Sequence, residues 1–330
     1  MHITALTWVV TCGVILALFV FDFYAHVRRP HEPTLRESAI WYSIFIGLAL
    51  LFGLFVIWEW GGTYGSEYYA GYITELALSM DNLFVFIIIM GAFAVPRQYQ
   101  QKVLLIGIVM ALVMRGAFIA VGAAAINTFS WVFYLFGIFL IYTAYKLIRE
   151  HSHETDPDEQ SDSRIIRLAK KYLPSTEEYD GDKLTTKING KVLVTPLLLT
   201  LVAIGFTDIL FALDSIPAIY GLTKEPYIVF TANAFALMGL RQLYFLIGGL
   251  LERLIYLSYG LSLILAFIGV KLVLHALHEN TLPFINGGEH LNVPEVSTVV
   301  SLGVIISVLV VTTVASLLRT RHLEAKEDAA

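Results

Sequence analysis

The sequence predicts an all-α membrane protein with about nine transmembrane helices, and three observations support this fold class. Hydrophobic residues make up 57% of the 330-residue chain and charged residues only 15%, which is a more apolar composition than soluble domains have. The apolar residues form runs of about 20, the length at which a helix crosses the hydrocarbon core of a bilayer. These runs are continuous rather than alternating, which argues against a β-barrel.

Nine apolar segments account for the predicted helices, in two groups separated by a polar insert. Two helices come first, in residues 1–68, and a three-helix unit follows in 69–150. After the insert at 151–194, a second three-helix unit occupies 195–278, and a last helix with a tail fills 279–330. The nine segments are 6–24, 40–60, 69–94, 102–123, 131–149, 195–220, 228–250, 256–277 and 296–318.

The polar insert is predicted to be a cytoplasmic loop. It begins with a stretch rich in His, Asp and Glu at 151–162, and a basic stretch, RIIRLAKKYL, follows. The basic stretch predicts one short amphipathic helix at the membrane surface. We interpret the acidic stretch as a solvated linker, in preference to a metal sensor, because no metal-ligand spacing stands out.

The basic residues between the helices indicate how the chain is oriented. With the N-terminus outside, the outer loops hold only Lys224, and every other basic residue outside the apolar segments falls on the inner side. This bias predicts that the C-terminus faces the cytoplasm. The inner residues are Arg28, Arg29, Arg36, Arg97, Lys102, Arg149, Arg164, Arg167, Lys170, Lys171, Lys183, Lys187, Lys191, Arg253, Arg319, Arg321 and Lys326.

Two acidic motifs inside apolar segments match each other. The first is ELALSMDNLFVF at 75–86, and the second is DILFALDSIPAI at 208–219. Their alignment pairs Glu75 with Asp208, Asp81 with Asp214, and Asn82 with Ser215. A carboxylate in hydrocarbon costs about 2.5–3.5 kcal/mol on the mildest scale, so such residues usually serve a function.

The match extends over three helices in each unit. Each motif is followed by a helix with one buried arginine, Arg115 or Arg241, predicted to lie close to the midplane, and then by a third helix in which Lys146 aligns with Lys271. Because three is an odd number of crossings, the second unit is inserted upside down relative to the first. Inverted repeats with polar motifs near the midplane are typical of secondary transporters.

The spacing within the first motif leaves two arrangements open. Residues seven apart share a helix face, so Glu75 and Asn82 lie on one side with Ser79 between them, and Asp81 points about 120° away. Either the helix is continuous and Asp81 faces another partner, or the helix opens at the motif. In the second motif Pro217 favours an opening, because proline removes a backbone donor.

The predicted ligands are all oxygen atoms, which suits the hard cations Mg²⁺, Ca²⁺ or Mn²⁺. The alternative for the acids is a purely structural ion pair with the arginines, and for the arginines we favour a structural role. Asp22, at the inner end of the first helix, is a candidate for an access path. The candidate site comprises Glu75, Asp81, Asn82, Asp208, Asp214 and Ser215, with Arg115, Arg241, Asn233 and Asp22 in support. Six glycines are predicted to allow close helix packing: Gly107, Gly116, Gly122, Gly239, Gly248 and Gly249.

Three segments resemble the TerC family of integral membrane proteins, and its Alx-like branch in particular. They are GYITELALSMDNLFVF (71–86), VMRGAFIA (113–120) and TDILFALDSIPAIYGLTKEPYIVFTANAFALMGLRQLYFL (207–246). The resemblance implies an association with tellurium resistance and with Mn²⁺ export. It places the family's acidic motifs on the six candidate residues given above.

These observations together predict an exporter of divalent cations, with Mn²⁺ as the leading substrate, in the inner membrane of a bacterium. The expected partners are the transported cation and the lipid bilayer, with no nucleic acid and no bound cofactor, and the oligomeric state stays open. Two other classes are weaker. Two Asp residues on separate helices could form the dyad of an intramembrane aspartyl protease, but here they lie in symmetric motifs with further acids and amides beside them, and no Gly-x-Gly-Asp sequence is present. A non-transporting partner protein would not need four intramembrane acids. We therefore expect a transporter rather than an enzyme.

Overall fold

The computed structural model describes a mostly helical chain. Within the described residues, nine helical segments are long and apolar enough to cross a membrane, which confirms the predicted fold class. A few side chains inside described helices, including those of Asp81 and Asp214, are outside the description. The described residues are 1, 3–24, 33–129, 131–152, 176, 179–188, 191–247, 255–280, 282 and 285–327.

Ten α-helices and one two-stranded sheet form the described part of the chain, together with a short 3₁₀ turn, Asn286–Gly288. The first unit contains α3 to α5, and the second contains α6 to α9. The helices are α1 Ala5–Asp22, α2 Leu35–Trp60, α3 Gly62–Ala92, α4 Arg97–Thr128, α5 Val132–Ser152, α6 Pro196–Tyr220, α7 Pro226–Met238, α8 Leu240–Ile247, α9 Leu257–His278 and α10 Thr298–Glu327, and the strands are β1 Thr185–Ile188 and β2 Lys191–Val194.

Local sequence explains where several helices begin. Thr34 caps α2, because its hydroxyl accepts a hydrogen bond from the backbone N–H of Glu37 at 3.2 Å. Proline is the first residue of both α6 and α7, where the missing backbone donor costs nothing. The membrane-spanning helices begin within two residues of the predicted starts, except for α2 and α4, which begin five residues early, and α3, which begins seven residues early.

The apolar segment 228–250, predicted as one helix, is interrupted. It forms α7 and α8, with a turn at Gly239 between them. Glycine has low helix propensity, and a Cβ added there would lie only 3.0 Å from the ring of Tyr42 on α2. The interruption therefore coincides with a close approach of the backbone to a neighbouring helix.

Helix α6 does not open at the second motif, although Pro217 favoured such an opening. Helix α6 continues through Pro217 to Tyr220, and the backbone N–H of Gly221 still bonds to the carbonyl of Pro217 at 2.9 Å. The residues after the proline are fully packed, since Ala218 and Ile219 have no exposed surface. Burial of this last turn outweighs the one hydrogen bond that the proline removes. The continuous alternative is therefore the correct one.

The two units pack through matching pairs of helices. The first helix of each unit contacts the second helix of the other, so that α3 packs on α7 and α6 packs on α4. The third helices, α5 and α9, pack on each other, and so do the first helices, α3 and α6. This exchange of partners is what a two-fold relation between the units would produce. The inversion of one unit relative to the other stays a prediction.

The described part of the insert contains a hairpin that the sequence did not predict. Strands β1 and β2 pair antiparallel, with Thr185 opposite Val194. The phenol of Tyr179 donates to the carbonyl of Phe93, just after α3, at 2.7 Å, and burial raises the pKa of Tyr179 to about 12. This hydrogen bond fixes the segment that leads into the hairpin to the end of the bundle where α3 ends and α4 begins. The side chains of the acidic stretch at 151–162, and the whole of the predicted amphipathic helix, lie outside the described part of the chain.

A surface ion pair also holds the hairpin. Lys102 at the start of α4 donates to the carboxylate of Asp182 at 2.6 Å, and this hydrogen bond keeps the pKa of Asp182 below its usual range. Because both side chains are partly exposed, the pair contributes at most about 1 kcal/mol.

Candidate functional site

One arginine joins the two acidic motifs. Nη1 of Arg115 on α4 donates to Oε1 of Glu75 on α3, while its Nη2 and Nε atoms donate to the two carboxylate oxygens of Asp208 on α6, at 3.1 and 3.4 Å. All three side chains are buried, with 0% of Arg115 and Glu75 and 2% of Asp208 exposed. The guanidinium therefore bridges the two residues that the repeat pairs with each other. We call Glu75, Arg115 and Asp208 the ion triple.

Two neutral side chains complete the surroundings of the ion triple. The hydroxyl of Ser79 donates to Oε1 of Glu75 at 3.1 Å. With its amide oriented to satisfy both neighbours, Asn82 accepts from Nη2 of Arg115 at 3.1 Å and donates to the carbonyl of Leu78 at 3.2 Å. The predicted shared face of Glu75, Ser79 and Asn82 is thus confirmed.

The ion triple lies far from the ends of its helices. Twelve residues separate Asp208 from either end of α6, and Glu75 and Arg115 are at least as far from the ends of α3 and α4. Twelve residues of helix rise about 18 Å, which exceeds half the thickness of a hydrocarbon core of about 30 Å. With both acids ionised, the two carboxylates and one guanidinium carry a net charge of −1. An uncompensated charge at such a depth is costly, so the ion triple favours the arrival of a cation.

Several buried oxygen atoms on α3, α6 and α7 have no hydrogen-bond partner among the described residues. They are Oε2 of Glu75, Oγ1 of Thr74, Oγ of Ser215 and Oδ1 of Asn233. Thr74 and Asn233 have no exposed surface, and Ser215 is 1% exposed. Because buried polar atoms are nearly always hydrogen-bonded, a group of unpaired ones needs an explanation such as water or an ion.

The helices that carry these atoms meet at one point, next to Gly71 of α3. A Cβ added at Gly71 would lie 3.3 Å from Ile219 of α6 and 3.4 Å from Ala232 of α7. Glu75 follows Gly71 by one helical turn, Ser215 precedes Ile219 by one turn, and Asn233 directly follows Ala232. The four residues that carry the unpaired oxygen atoms therefore lie within about one turn of a three-helix contact.

The second arginine of the repeat has a different environment. Arg241 donates through Nη2 to Asp22 at 2.6 Å and through Nη1 to Gln101 at 3.0 Å. Asp22 is the last residue of α1, and Gln101 lies near the start of α4. Arg241, predicted near the middle of its helix, instead contacts residues close to helix ends. Its described ion-pair partner comes from α1, outside both three-helix units.

The structure brings together part of the predicted site. Glu75, Asn82, Asp208 and Arg115 are in contact, whereas Arg241 and Asp22 form a separate pair. Ser215 and Asn233 lie close in the helix packing without a hydrogen bond to the ion triple. The side chains of Asp81 and Asp214 are outside the description. Among the described residues, no three His, Cys, Asp or Glu side chains are grouped so as to hold a metal ion.

Sequence reasoning did not single out Thr74 and Gln101. Thr74 adjoins the first motif, but hydroxyl side chains are common in helices, and no spacing marks this one. Gln101 lies in the polar first turns of α4, where a glutamine is expected at the membrane surface. Only the packing shows that both are buried, with exposed fractions of 0% and 4%.

Comparison with known proteins finds one matching protein family and several similar proteins. Residues 60–324 match the model of the integral membrane protein TerC family. The chain is 53% identical, over 317 residues, to an uncharacterized membrane protein of Mycobacterium tuberculosis, covering 96% of this chain and 80% of the relative. It is also similar to two proteins named putative membrane-bound redox modulator Alx. One, from Photorhabdus laumondii, is 36% identical over 82% of this chain and 86% of the relative, and the other, from Shigella flexneri, is 33% identical over 94% and 93%. No solved structure matches the chain.

Proposed function

Because the chain belongs to the TerC family of integral membrane proteins, we propose that it exports divalent cations, most favourably Mn²⁺, across the inner membrane of a bacterium. The proposal rests on one observation. Carboxylates from both three-helix units meet at a single buried arginine, next to oxygen atoms that have no partner among the described residues. A site between two units that pack through matching helices is the arrangement in which alternating access works.

The available side chains favour a hard cation as the substrate. The unpaired oxygen atoms belong to a carboxylate, two hydroxyls and the amide of Asn233, whose nitrogen is also unpaired, and no His or Cys occurs in either motif. Oxygen ligands bind Mg²⁺, Ca²⁺ and Mn²⁺ in preference to Zn²⁺ or Cu⁺. A tellurium oxyanion is a poor substrate for this site, because the ion triple already has more negative than positive charge. The side chains of Asp81 and Asp214 are proposed to add two further carboxylates.

Proton exchange is the proposed source of energy. A buried carboxylate without a counter-ion takes up a proton, and a cation that binds to it displaces that proton. Export of the cation would then be coupled to proton entry. The proposed orientation places the N-terminus outside and the C-terminus in the cytoplasm, following the distribution of basic residues.

Movement of ⁵⁴Mn²⁺ in proteoliposomes under an imposed pH gradient tests this proposal. We expect the native protein to transport Mn²⁺ and both Asp214→Asn and Glu75→Gln to lose at least about 90% of the rate, because each removes a carboxylate from the proposed path. Asp182→Asn is the matched control, since it makes the same chemical change at an exposed pair outside the membrane and should transport normally. Absence of Mn²⁺ movement by the native protein, or normal rates in both site variants, would contradict the proposal.

A second candidate function is suggested by two relatives, which are named putative membrane-bound redox modulator Alx. In this reading the chain acts on the redox state of the membrane through a partner protein rather than by transport. The chain has one cysteine, Cys12, so it has no dithiol of its own for such chemistry.

Deletion of residues 155–174 discriminates the two candidates. Residues 179–194 should be kept, because Tyr179 and the hairpin are fixed to α3 and α4. A transporter should move ⁵⁴Mn²⁺ at close to the native rate after this deletion, since the ion triple is untouched. A protein that works by docking partners through the loop should lose its effect on the redox state of the cell. No ⁵⁴Mn²⁺ movement by the undeleted protein, together with loss of the redox effect on deletion, would count against the transporter.

A further inference from the structure

Glu75 and Asp208, which the repeat aligns with each other, accept different sets of hydrogen bonds in the ion triple. Both oxygens of Asp208 accept hydrogen bonds from Arg115, one from Nη2 and one from Nε, which is a bidentate pairing. Glu75 is bonded through Oε1 alone, and that oxygen accepts from both Arg115 and Ser79. Oε2 of Glu75 is buried and has no partner among the described residues.

This difference has a consequence for a cation that enters the site. A bidentate guanidinium–carboxylate pair is among the strongest hydrogen-bonded pairs in proteins, so a cation can bind Asp208 directly only in competition with Arg115. The same cation can bind Oε2 of Glu75 without breaking any described hydrogen bond. The remaining unpaired oxygens belong to Thr74, Ser215 and Asn233. These residues lie within about one helical turn of the contact that Gly71 makes with α6 and α7, and Glu75 lies one turn after Gly71 on α3.

We infer that the repeat is functionally asymmetric: Glu75 is the ligand of the cation, whereas Asp208 is a positioning residue that holds Arg115. This inference rests on the proposed function and assigns different roles to two residues that the sequence makes equivalent. Arg115 in turn fixes Oε1 of Glu75, so that Oε2 stays directed away from the guanidinium. Thr74 and Asn233 join Ser215 as the neutral oxygen donors.

Matched neutral substitutions separate the two roles. Glu75→Gln and Asp208→Asn each remove one negative charge and keep a carbonyl that can accept from Arg115. Binding can be followed in detergent solution by the electron paramagnetic resonance signal of free Mn²⁺. We expect Asp208→Asn to weaken Mn²⁺ binding by about 10-fold, as residues behind a metal ligand typically do, and Glu75→Gln to weaken it by more than about 100-fold.

Two double variants sharpen the test, because they keep the net charge of the native ion triple at −1. Arg115→Gln with Asp208→Asn retains Glu75 as the one carboxylate, and Arg115→Gln with Glu75→Gln retains Asp208. We expect the first double variant, which keeps Glu75 but loses the arginine that fixes it, to bind Mn²⁺ within about 10-fold of native, and the second to be more than about 100-fold weaker. If Asp208 were the ligand instead, the second double variant would bind Mn²⁺ more tightly than the first.

Each outcome decides the inference. Equal loss of Mn²⁺ affinity in the two single variants, or equal Mn²⁺ affinities of the two double variants, would contradict the inference. Neither result would contradict the proposed transport of Mn²⁺. If a double variant does not give a monodisperse protein, the single variants decide by the ratio of their Mn²⁺ affinities. A native protein that neither binds nor moves Mn²⁺ would contradict the proposed function itself, and with it the inference.

Discussion

Replacing Arg115 by glutamine is expected to lower the free energy of unfolding by about 3–5 kcal/mol, the usual cost of removing one partner from a buried ion pair. Without the guanidinium, Glu75 and Asp208 would be two buried carboxylates with no opposite charge between them. Both would lie about 18 Å from the ends of their helices. The measurement is unfolding of the purified protein in mixed micelles titrated with SDS.

Two further variants control for the chemistry of the change. Arg319→Gln removes the same side chain from an exposed position on α10 and should change the free energy of unfolding by less than about 0.5 kcal/mol. Arg115→Lys keeps the charge but cannot form the bidentate pairing with Asp208, so it should fall between native and Arg115→Gln. If Arg115→Gln were as stable as Arg319→Gln, the ion triple would not contribute to stability as the structure indicates.

Alanine at Gly269 should also destabilise the protein, by about 1–3 kcal/mol, although alanine normally favours a helix over glycine by about 1 kcal/mol. Gly269 lies where α9 crosses α5, opposite Gly137. A Cβ added there would be 2.8 Å from the carbonyl oxygen of Gly137 and 3.1 Å from the backbone nitrogen of Ile141. Because both are backbone atoms, the contact can be relieved only by moving one helix away from the other.

Gly303→Ala on α10 is the matched control, since a Cβ there would meet no atom within 4 Å. That variant should be neutral or more stable than the native protein by up to about 1 kcal/mol. Gly137→Ala should resemble Gly269→Ala, and the two effects should not add, because both changes separate the same pair of helices. Equal stability of Gly269→Ala and Gly303→Ala would show that α5 and α9 are not in backbone contact.

The class of the protein and the presence of a buried polar site follow from the order of its residues alone. Runs of about 20 apolar residues can satisfy their backbone hydrogen bonds in a bilayer only as helices, which is why nine segments could be placed without tertiary information. Paired acids in such runs were a reliable signal for the same reason: their cost requires a compensating group nearby. The structure supplies that group for Glu75 and Asp208 in the form of Arg115.

Local rules failed where packing opposed them. Pro217 signalled an opening in α6, but the turn that follows it is completely buried, and the helix continues. No interruption was predicted at Gly239, yet there the helix is interrupted beside Tyr42. Of the glycines that pack most closely, Gly137 and Gly269 were not among those expected, because closeness depends on which helix lies opposite.

The inequality of the two halves of the repeat becomes visible only in the packing of the helices. In the sequence, Arg115 and Arg241 occupy equivalent positions after equivalent motifs. In the structure, Arg115 joins the two motifs, whereas Arg241 pairs with Asp22 of α1. A helix fixes which residues share its own face, but the partner of a long charged side chain depends on which other helix brings an opposite charge within reach. That choice is made by the packing of the whole bundle, including a helix that belongs to neither unit.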